Sequence, residues 1–346
     1  MQKAIKFIRN ITLFLFASLV LFGCRTTNLN KQPELAADNK YDSEFPSKSV
    51  SSELDYISKT VKKLDILAFY ATYYFPKGSN INKKNINDSL LVAYSATRTI
   101  SHESVSGTAS VIYNNQDLIG FLTCAHIIDF NDSIFSYYND DVNEIQTVSI
   151  KIKQQNHIGS LGSGDPINIA AIDIEKDIAL LMKKTTNNNG EEVYTLNYPR
   201  GSINDLQWGS VVYIMGYPLG ILMVTRAIVS LTMKVKKSVF VMDALYNKGI
   251  SGSPVLAIRD GIPNFELIGI ASSSAAQESN ILIPEENYKN GSIIKLPYEG
   301  NIFVHNNKLI SYGVTYSISI DEIITFIQSN EKTLKAAGFE INMFFK

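Results

Sequence analysis

Two cysteines in 346 residues, at positions 24 and 124, leave little scope for disulfide or thiolate chemistry. If the first is consumed at the N-terminus, as argued below, no intramolecular disulfide can form, and no cysteine cluster exists to bind zinc. An excess of charge of one sign is also missing. Lys plus Arg number 32 and Asp plus Glu 33, a formal net charge of -1, so no electrostatic footprint directs the chain to nucleic acid or to an acidic partner. No internal repeat of fixed period runs through the chain. Strand and helix patterns do not alternate either, which argues against a doubly wound nucleotide-binding fold. What is present is a hydrophobic content of 45%, ample for a core, in a length that suits one large domain or two modest ones.

At the N-terminus Lys3, Lys6 and Arg9 precede the apolar run ITLFLFASLVLFG, which ends at Cys24. A charged start before an apolar stretch too short to span a bilayer comfortably is the layout of a secretory signal. The ending LFGC resembles a bacterial lipobox, in which the cysteine becomes the lipidated first residue of the mature chain; a plain signal peptide or short anchor is the alternative. Residues 1–23 are therefore expected as a lipoprotein signal with Cys24 as the lipidation site, 24–50 as a polar, flexible tether, and 51–346 as the folded domain.

Within that domain the spacing of Leu54, Ile57, Val61 and Leu64 predicts a short helix from Ser51 or Ser52, followed by the β-favouring run ILAFYATYYF. Many short apolar or alternating runs come next: LLVAYSATR, GTASVIY, LIGFLTCAH, QTVSIKIK, INIAAIDI, IALLMKK, SVVYIMGY, RAIVSLTMKV, SVFVMDAL, SPVLAI and ELIGIAS. Clusters of Asn, Gly, Asp and Pro separate them, the pattern of an all-β barrel or sandwich. Near the end Ser319 as N-cap, Glu322 three residues on and Gly338 as a stop predict a C-terminal helix.

Three places carry candidate chemistry. His126 follows an apolar strand in FLTCAHIID, Asp177 opens the apolar run of EKDIALLMKK, and Ser251 sits in KGISGSPVL. Each has a bland reading: a structural histidine, a solvated strand end, a tight turn. Together they meet a chemical need. Serine is a weak nucleophile at neutral pH and requires a base within hydrogen-bond reach, for which imidazole is best suited. The imidazole needs an acceptor on its other nitrogen. Attack on a carbonyl creates an oxyanion that needs preorganised donors, which backbone N–H groups beside a glycine supply. Gly249 would aim its own N–H and that of Ser251 into one hole, and Gly252 would leave room for substrate.

With these motifs the sequence resembles the trypsin-like serine endopeptidases, in the bacterial branch related to HtrA-type and glutamyl-endopeptidase-type enzymes. TCAH, DIAL and GISGSP stand where that family has its histidine, aspartate and serine motifs, in the same chain order. GSVVYIMGYPLG, VTRAIVS, Asp243 with Ala244, and YGVTYSISIDEI extend the likeness over roughly residues 90 to 330. The resemblance implies two six-stranded β-barrels with the site between them, the triad His126, Asp177 and Ser251, and an oxyanion hole at Gly249 and Ser251. It implies no cofactor and no metal, and a protein or peptide substrate; the PDZ module typical of HtrA relatives is not expected, since it has no room after residue 330. The DIAL context favours Asp177 over Asp129, Asp165 and Asp173. His102, His157 and His305 lack such a setting and are expected at the surface. Cys124 reads as an apolar filler, and Ile250 as a change to the cleft floor. The small Ala271, Ser272 and Ser273, with Ser274, imply a substrate-binding pocket for small-to-medium uncharged side chains. NDSIFSYYNDDVNE and GSLGSGDP are expected as an extended loop near the cleft. With the N-terminal signal, the whole reads as a serine endopeptidase lipid-anchored in the bacterial cell envelope; a catalytically silent peptide-binding or chaperone-like protein is the alternative.

Overall fold

The computed structural model describes residues 37–46, 48–115, 117–138, 141–159, 167–185, 192–232, 238–284, 300 and 302–344. The signal segment 1–23, Cys24, Asp165 and nearly all of GSLGSGDP lie outside the described residues. The chain divides into two units, Met1–Asp38 and Asn39–Lys346, and every element named below belongs to the second.

Runs such as VVYIMG are apolar at every position, which in a β protein requires a strand covered on both faces. The structure meets that requirement. In β8 (Val211–Gly216) Val212 and Ile214 point into one hydrophobic cluster, whereas Val211, Tyr213 and Met215 point into a second, larger one. In β11 (Pro254–Ile258) Val255 and Ala257 join the former, and Leu256 and Ile258 the latter. Both strands belong to a closed six-stranded barrel. Its other members are β9 (Met223–Thr232), β10 (Val239–Met242), β12 (Phe265–Pro284) and β13 (Ile302–Ser319), in the order β10-β13-β12-β11-β8-β9. Its interior holds the smaller cluster, built around Phe240, Met242, Val229 and Ile268.

The N-terminal half forms a seven-stranded antiparallel half-barrel. Its strands are β1 (Val61–Tyr74), β2 (Thr99–Asn114), β3 (Leu118–Thr123), β4 (Ser133–Tyr138), β5 (Asp141–Ile158), β6 (Asn168–Asp173) and β7 (Ile178–Lys184). They run in the order β4-β5-β1-β2-β3-β7-β6. The larger cluster fills it and continues onto the outer face of the closed barrel, so one core cements the two halves. This is a trypsin-like fold, mostly β with few helices. The first sheet carries one strand more than the six expected, and β1, which precedes residue 90, lies inside the sheet between β5 and β2.

Helix α1 (Ser51–Thr60) occupies the predicted place, with Ile57 and Thr60 buried; Val61 and Leu64 have already passed into β1. Two runs differ from expectation. LLVAYSATR becomes the short helix α2 (Asp88–Ala93) and a 3-10 turn, because Asn87 caps it by accepting the Leu90 N–H at 3.0 Å. NDSIFSYYNDDVNE is a strand pair, not a loop. β4 pairs with β5 over Ser133↔Ile150 to Tyr138↔Asp141, and Phe135 and Tyr137 pack on a small cluster of Phe75, Ile145 and Val148. The C-terminal helix arises as predicted but in two pieces, α3 (Ile320–Ser329) and α4 (Glu331–Ala337), separated at Asn330. Ser319 accepts the Glu322 N–H, and Gly338 ends α4 at φ +102°. Ile320, Ile323, Phe326 and Ile327 form the buried stripe of α3.

Part of the segment 24–50, expected as a flexible tether, is packed on the folded unit around Tyr41. Tyr41 is 5% exposed; its hydroxyl donates to Glu266 Oε2 at 2.6 Å and accepts the Ser202 N–H at 2.8 Å. Arg259 lies over its ring, 4.2 Å from the centroid. The polar composition of this segment hid one aromatic anchor with partners more than 150 residues away.

Candidate active site

His126 sits in a 3-10 turn, Ala125–Ile127, at the end of β3. Asp177 closes the four-residue connection from β6 to β7 with φ at +57°, a left-handed conformation that aspartate tolerates better than most residues. Asp173 supports that connection by accepting the Lys176 N–H at 3.0 Å, which accounts for one of the rival acids; Asp129 is exposed beyond the His126 turn. The two connections are tied by their backbones, since the Ala125 N–H donates to the Asp177 carbonyl at 3.2 Å.

Both carboxylate oxygens of Asp177 lie 2.9 Å from His126 Nδ1, and Oδ1 also accepts the His126 backbone N–H at 2.9 Å. On the other side of the ring, Nε2 lies 3.0 Å from Ser251 Oγ. The structure thus brings together three side chains from distant parts of the sequence. His102 and His157 are exposed on β2 and β5, away from this group, and His305 lies on β13.

The Ser251 loop is fixed from below by a residue the sequence did not single out. Thr108 on β2 donates its N–H to the Ser251 carbonyl at 2.8 Å and its hydroxyl to the Gly249 carbonyl at 2.7 Å. The same hydroxyl accepts the Tyr217 N–H at 2.9 Å, and the Thr108 carbonyl accepts the Thr123 hydroxyl at 2.8 Å. Ahead of Ser251, Asn247 to Ile250 form a turn closed by Ile250 N–H to Asn247 O at 3.1 Å. Gly249 takes φ +102° at its third position, which type II turns reserve for glycine. A Cβ on Gly249 would meet the Tyr217 carbonyl at 2.3 Å. Among the described residues, the N–H groups of Gly249 and Ser251 donate to no other protein atom.

Four expectations change on this geometry. Gly252 does not make room for substrate: a Cβ there would meet the Thr108 carbonyl at 2.0 Å, so its lack of a side chain admits the first sheet instead. Ile250 is buried in the closed barrel and does not form the cleft floor. Ala271, expected in the substrate pocket, is also buried there. Its carbonyl accepts the Gly252 N–H at 2.7 Å and the Cys124 thiol at 3.4 Å. Ser272 is the extra residue of a β-bulge, because β12 pairs Ala271 with Ser317 and next Ser273 with Tyr316. The bulge turns the Ser272 hydroxyl toward Asp177 Oδ2, at 2.5 Å, and its carbonyl toward Ser251 Oγ, at 2.8 Å. Of the expected pocket residues only Ser273 is exposed.

The electrostatics favour an ionised Asp177. Burial pushes its carboxyl up, but the hydrogen bond and charge of His126, the Ser272 hydroxyl and the His126 amide outweigh it, and the net shift is downward. Cys124 lies buried beneath. Its thiol is pushed well up, first by burial and next by the charge of Asp177, so it stays neutral, in keeping with its reading as a filler. Cys124, His126 and Asp177 each bring one donor atom within 4.8 Å of the others, and these are the atoms a cation would find. A neutral thiol and an Nδ1 already engaged by a carboxylate are poor ligands as they stand.

Residues 107–270 match the model of a family described as the Trypsin-like peptidase domain, a span that holds His126, Asp177 and Ser251. No curated protein matches the chain. The match supports a serine-type peptidase, a hydrolase whose substrates are proteins or peptides.

A lowered carboxyl pKa contributes stability above the ordinary carboxylate range and loses it as the pH falls through the folded-state value. Ser272→Ala removes one of the groups that lower Asp177. It is expected to cost about 2 kcal/mol at pH 7, the scale of a hydrogen bond to a charged group. The cost should shrink as the pH is taken below the ordinary carboxyl range and through the lowered folded-state value of Asp177, beneath which the carboxyl is protonated in both proteins. Urea unfolding of the two proteins at neutral and at acid pH measures this, and an equal cost at both would contradict it.

Proposed function

We propose that this chain is a serine endopeptidase, held at a membrane of the bacterial envelope by a lipid on Cys24, and that Ser251, His126 and Asp177 are its catalytic residues. The observation that carries the proposal is the juxtaposition of Ser251 Oγ with His126 Nε2 at 3.0 Å and of His126 Nδ1 with Asp177 at 2.9 Å. In this reading Ser251 Oγ bonds to the carbonyl carbon of the scissile peptide while its proton passes to His126 Nε2. The carbonyl oxygen becomes an oxyanion, held by the N–H groups of Gly249 and Ser251. When the carbon–nitrogen bond breaks, the Nε2 proton goes to the departing amine. Water then attacks the acyl ester with His126 taking its proton, and the return of a proton to Ser251 Oγ restores the site. Asp177 keeps one imidazole tautomer throughout and stabilises the cation formed at each step. Ser272 holds Asp177 in turn, as a positioning residue.

The membrane anchor rests on the sequence alone, on the order Lys3, Lys6, Arg9, apolar run and Cys24. A polar tether would let the catalytic unit reach substrates away from the bilayer.

Full-length protein is expected to cleave unfolded casein, and Ser251→Ala to lower the rate by at least about a thousandfold. Fragments separated by mass spectrometry give the rate, and equal cleavage by both proteins would refute the assignment. In bacterial cells, the protein is expected to incorporate labelled fatty acid and Cys24→Ala not to. No incorporation by the wild type would remove the lipid anchor and leave the peptidase reading intact.

A further inference from the structure

An sp3 oxygen has three directions left beyond its own carbon: one for its hydrogen and two for lone pairs. At Ser251 three polar atoms surround Oγ. It donates to the Ser272 carbonyl at 2.8 Å, meets the Tyr246 hydroxyl at 2.6 Å, and lies 3.0 Å from His126 Nε2. Ser251 is only 4% exposed. The single serine hydrogen can serve only one of these partners; when it goes to Ser272, the phenol is the donor in the bond with Tyr246 and a serine lone pair accepts. That lone pair is then not free to attack, and the serine hydrogen does not lie on the path to Nε2. In that arrangement the nucleophile would be at rest, close to its base but turned away from the exchange it has to make.

We propose that Tyr246 is a positioning residue that latches the nucleophile in this resting state, and that its hydroxyl has to leave before a substrate carbonyl can reach Oγ. The inference rests on Ser251 being the nucleophile. Tyr246 is suited to the task in three ways. Its hydroxyl also lies 3.1 Å from the Ser272 carbonyl, a second acceptor within reach of its one hydrogen, so the phenol stays beside the Ser251–Ser272 bond. Burial raises its pKa, which keeps the phenol a donor through neutral pH. It stands in the segment between β10 and the glycine turn, which is anchored on either side of it: the Ala244 carbonyl accepts the Thr315 hydroxyl at 2.9 Å, and the Asn247 carbonyl accepts the Ile250 N–H at 3.1 Å. These anchors hold the oxyanion turn in place when the phenol hydroxyl is displaced from Ser251. A substrate that displaces the phenol frees the lone pair and lets the serine hydrogen turn to Nε2, so activation is coupled to occupancy of the cleft.

The test is the second-order rate of labelling by a small alkyl fluorophosphonate, in which Oγ bonds to phosphorus, fluoride leaves and His126 takes the serine proton. Full-length wild type, Tyr246→Phe and Ser251→Ala are compared. Phenylalanine keeps the ring and removes only the hydroxyl. The latch predicts that Tyr246→Phe labels about 2- to 10-fold faster than wild type, the span of one neutral hydrogen bond, and that Ser251→Ala does not label. Labelling of Tyr246→Phe alone, with none of wild type, would support the latch most strongly. An equal or slower rate in Tyr246→Phe would overturn the latch and leave Ser251 as the nucleophile, because a purely structural or activating role cannot make its loss an acceleration. No labelling of either protein would overturn both readings.

Discussion

The site depends on one threonine that belongs to neither barrel's catalytic loops. Thr108 spends every polar atom it has. Its N–H and hydroxyl hold the Ser251 and Gly249 carbonyls, the same hydroxyl receives the Tyr217 N–H, and its carbonyl receives Thr123. Because it is fully buried, these bonds have no competing water. They fix the serine loop of the closed barrel against β2, and β2 lies beside β3, the strand that delivers His126. The glycines at 249 and 252 follow from this constraint, since side chains there would strike the Tyr217 and Thr108 carbonyls. What reads in the sequence as a flexible glycine–serine stretch is a rigid docking of one barrel on the other.

Around that fixed point the side chains of the proposed site are placed by different local devices: a 3-10 turn for His126, a left-handed turn residue for Asp177, and a bulge for Ser272, which positions Asp177. His126 and Asp177 stand beside strand ends and Ser272 within β12, and the shared core of Val211, Tyr213, Met215, Leu256 and Ile258 with the first sheet keeps these strands in register. The electrostatic arrangement follows from the placement. A carboxylate that would be raised by burial alone is lowered by the groups that surround it, so a charge waits beside the imidazole before any substrate arrives. The phenol of Tyr246 adds a counterweight, holding the hydroxyl until the cleft is filled.

Much of this was legible in the residues. Strand after strand follows the apolar runs, Ser319 and Gly338 mark the C-terminal helix, and the TCAH, DIAL and GISGSP motifs name three side chains of which the structure puts His126 within hydrogen-bond distance of both Asp177 and Ser251. The remainder was hidden for specific reasons. A capping asparagine at 87 turned an apolar run into a helix, and cross-strand aromatic packing made strands of SIFSYY. Ala271 and Ser272 are small, but a bulge, which no local pattern announces, sends one to the core and the other to Asp177. Thr108 and Tyr246 carry no motif, because their importance comes from partners roughly 140 residues away for the former and from a strand bulge for the latter. Tertiary contact of this kind has no one-dimensional signature.

The central claim is that the Thr108 hydroxyl sets the serine loop for catalysis. Thr108→Val keeps the shape and removes only the two hydroxyl bonds, leaving the buried Gly249 carbonyl and Tyr217 N–H unpaired. The account predicts that kcat/KM for a cleaved peptide falls about 10-fold or more, in line with the cost of a buried unpaired group, while circular dichroism shows the native β fold. An unchanged kcat/KM in the folded variant would contradict it.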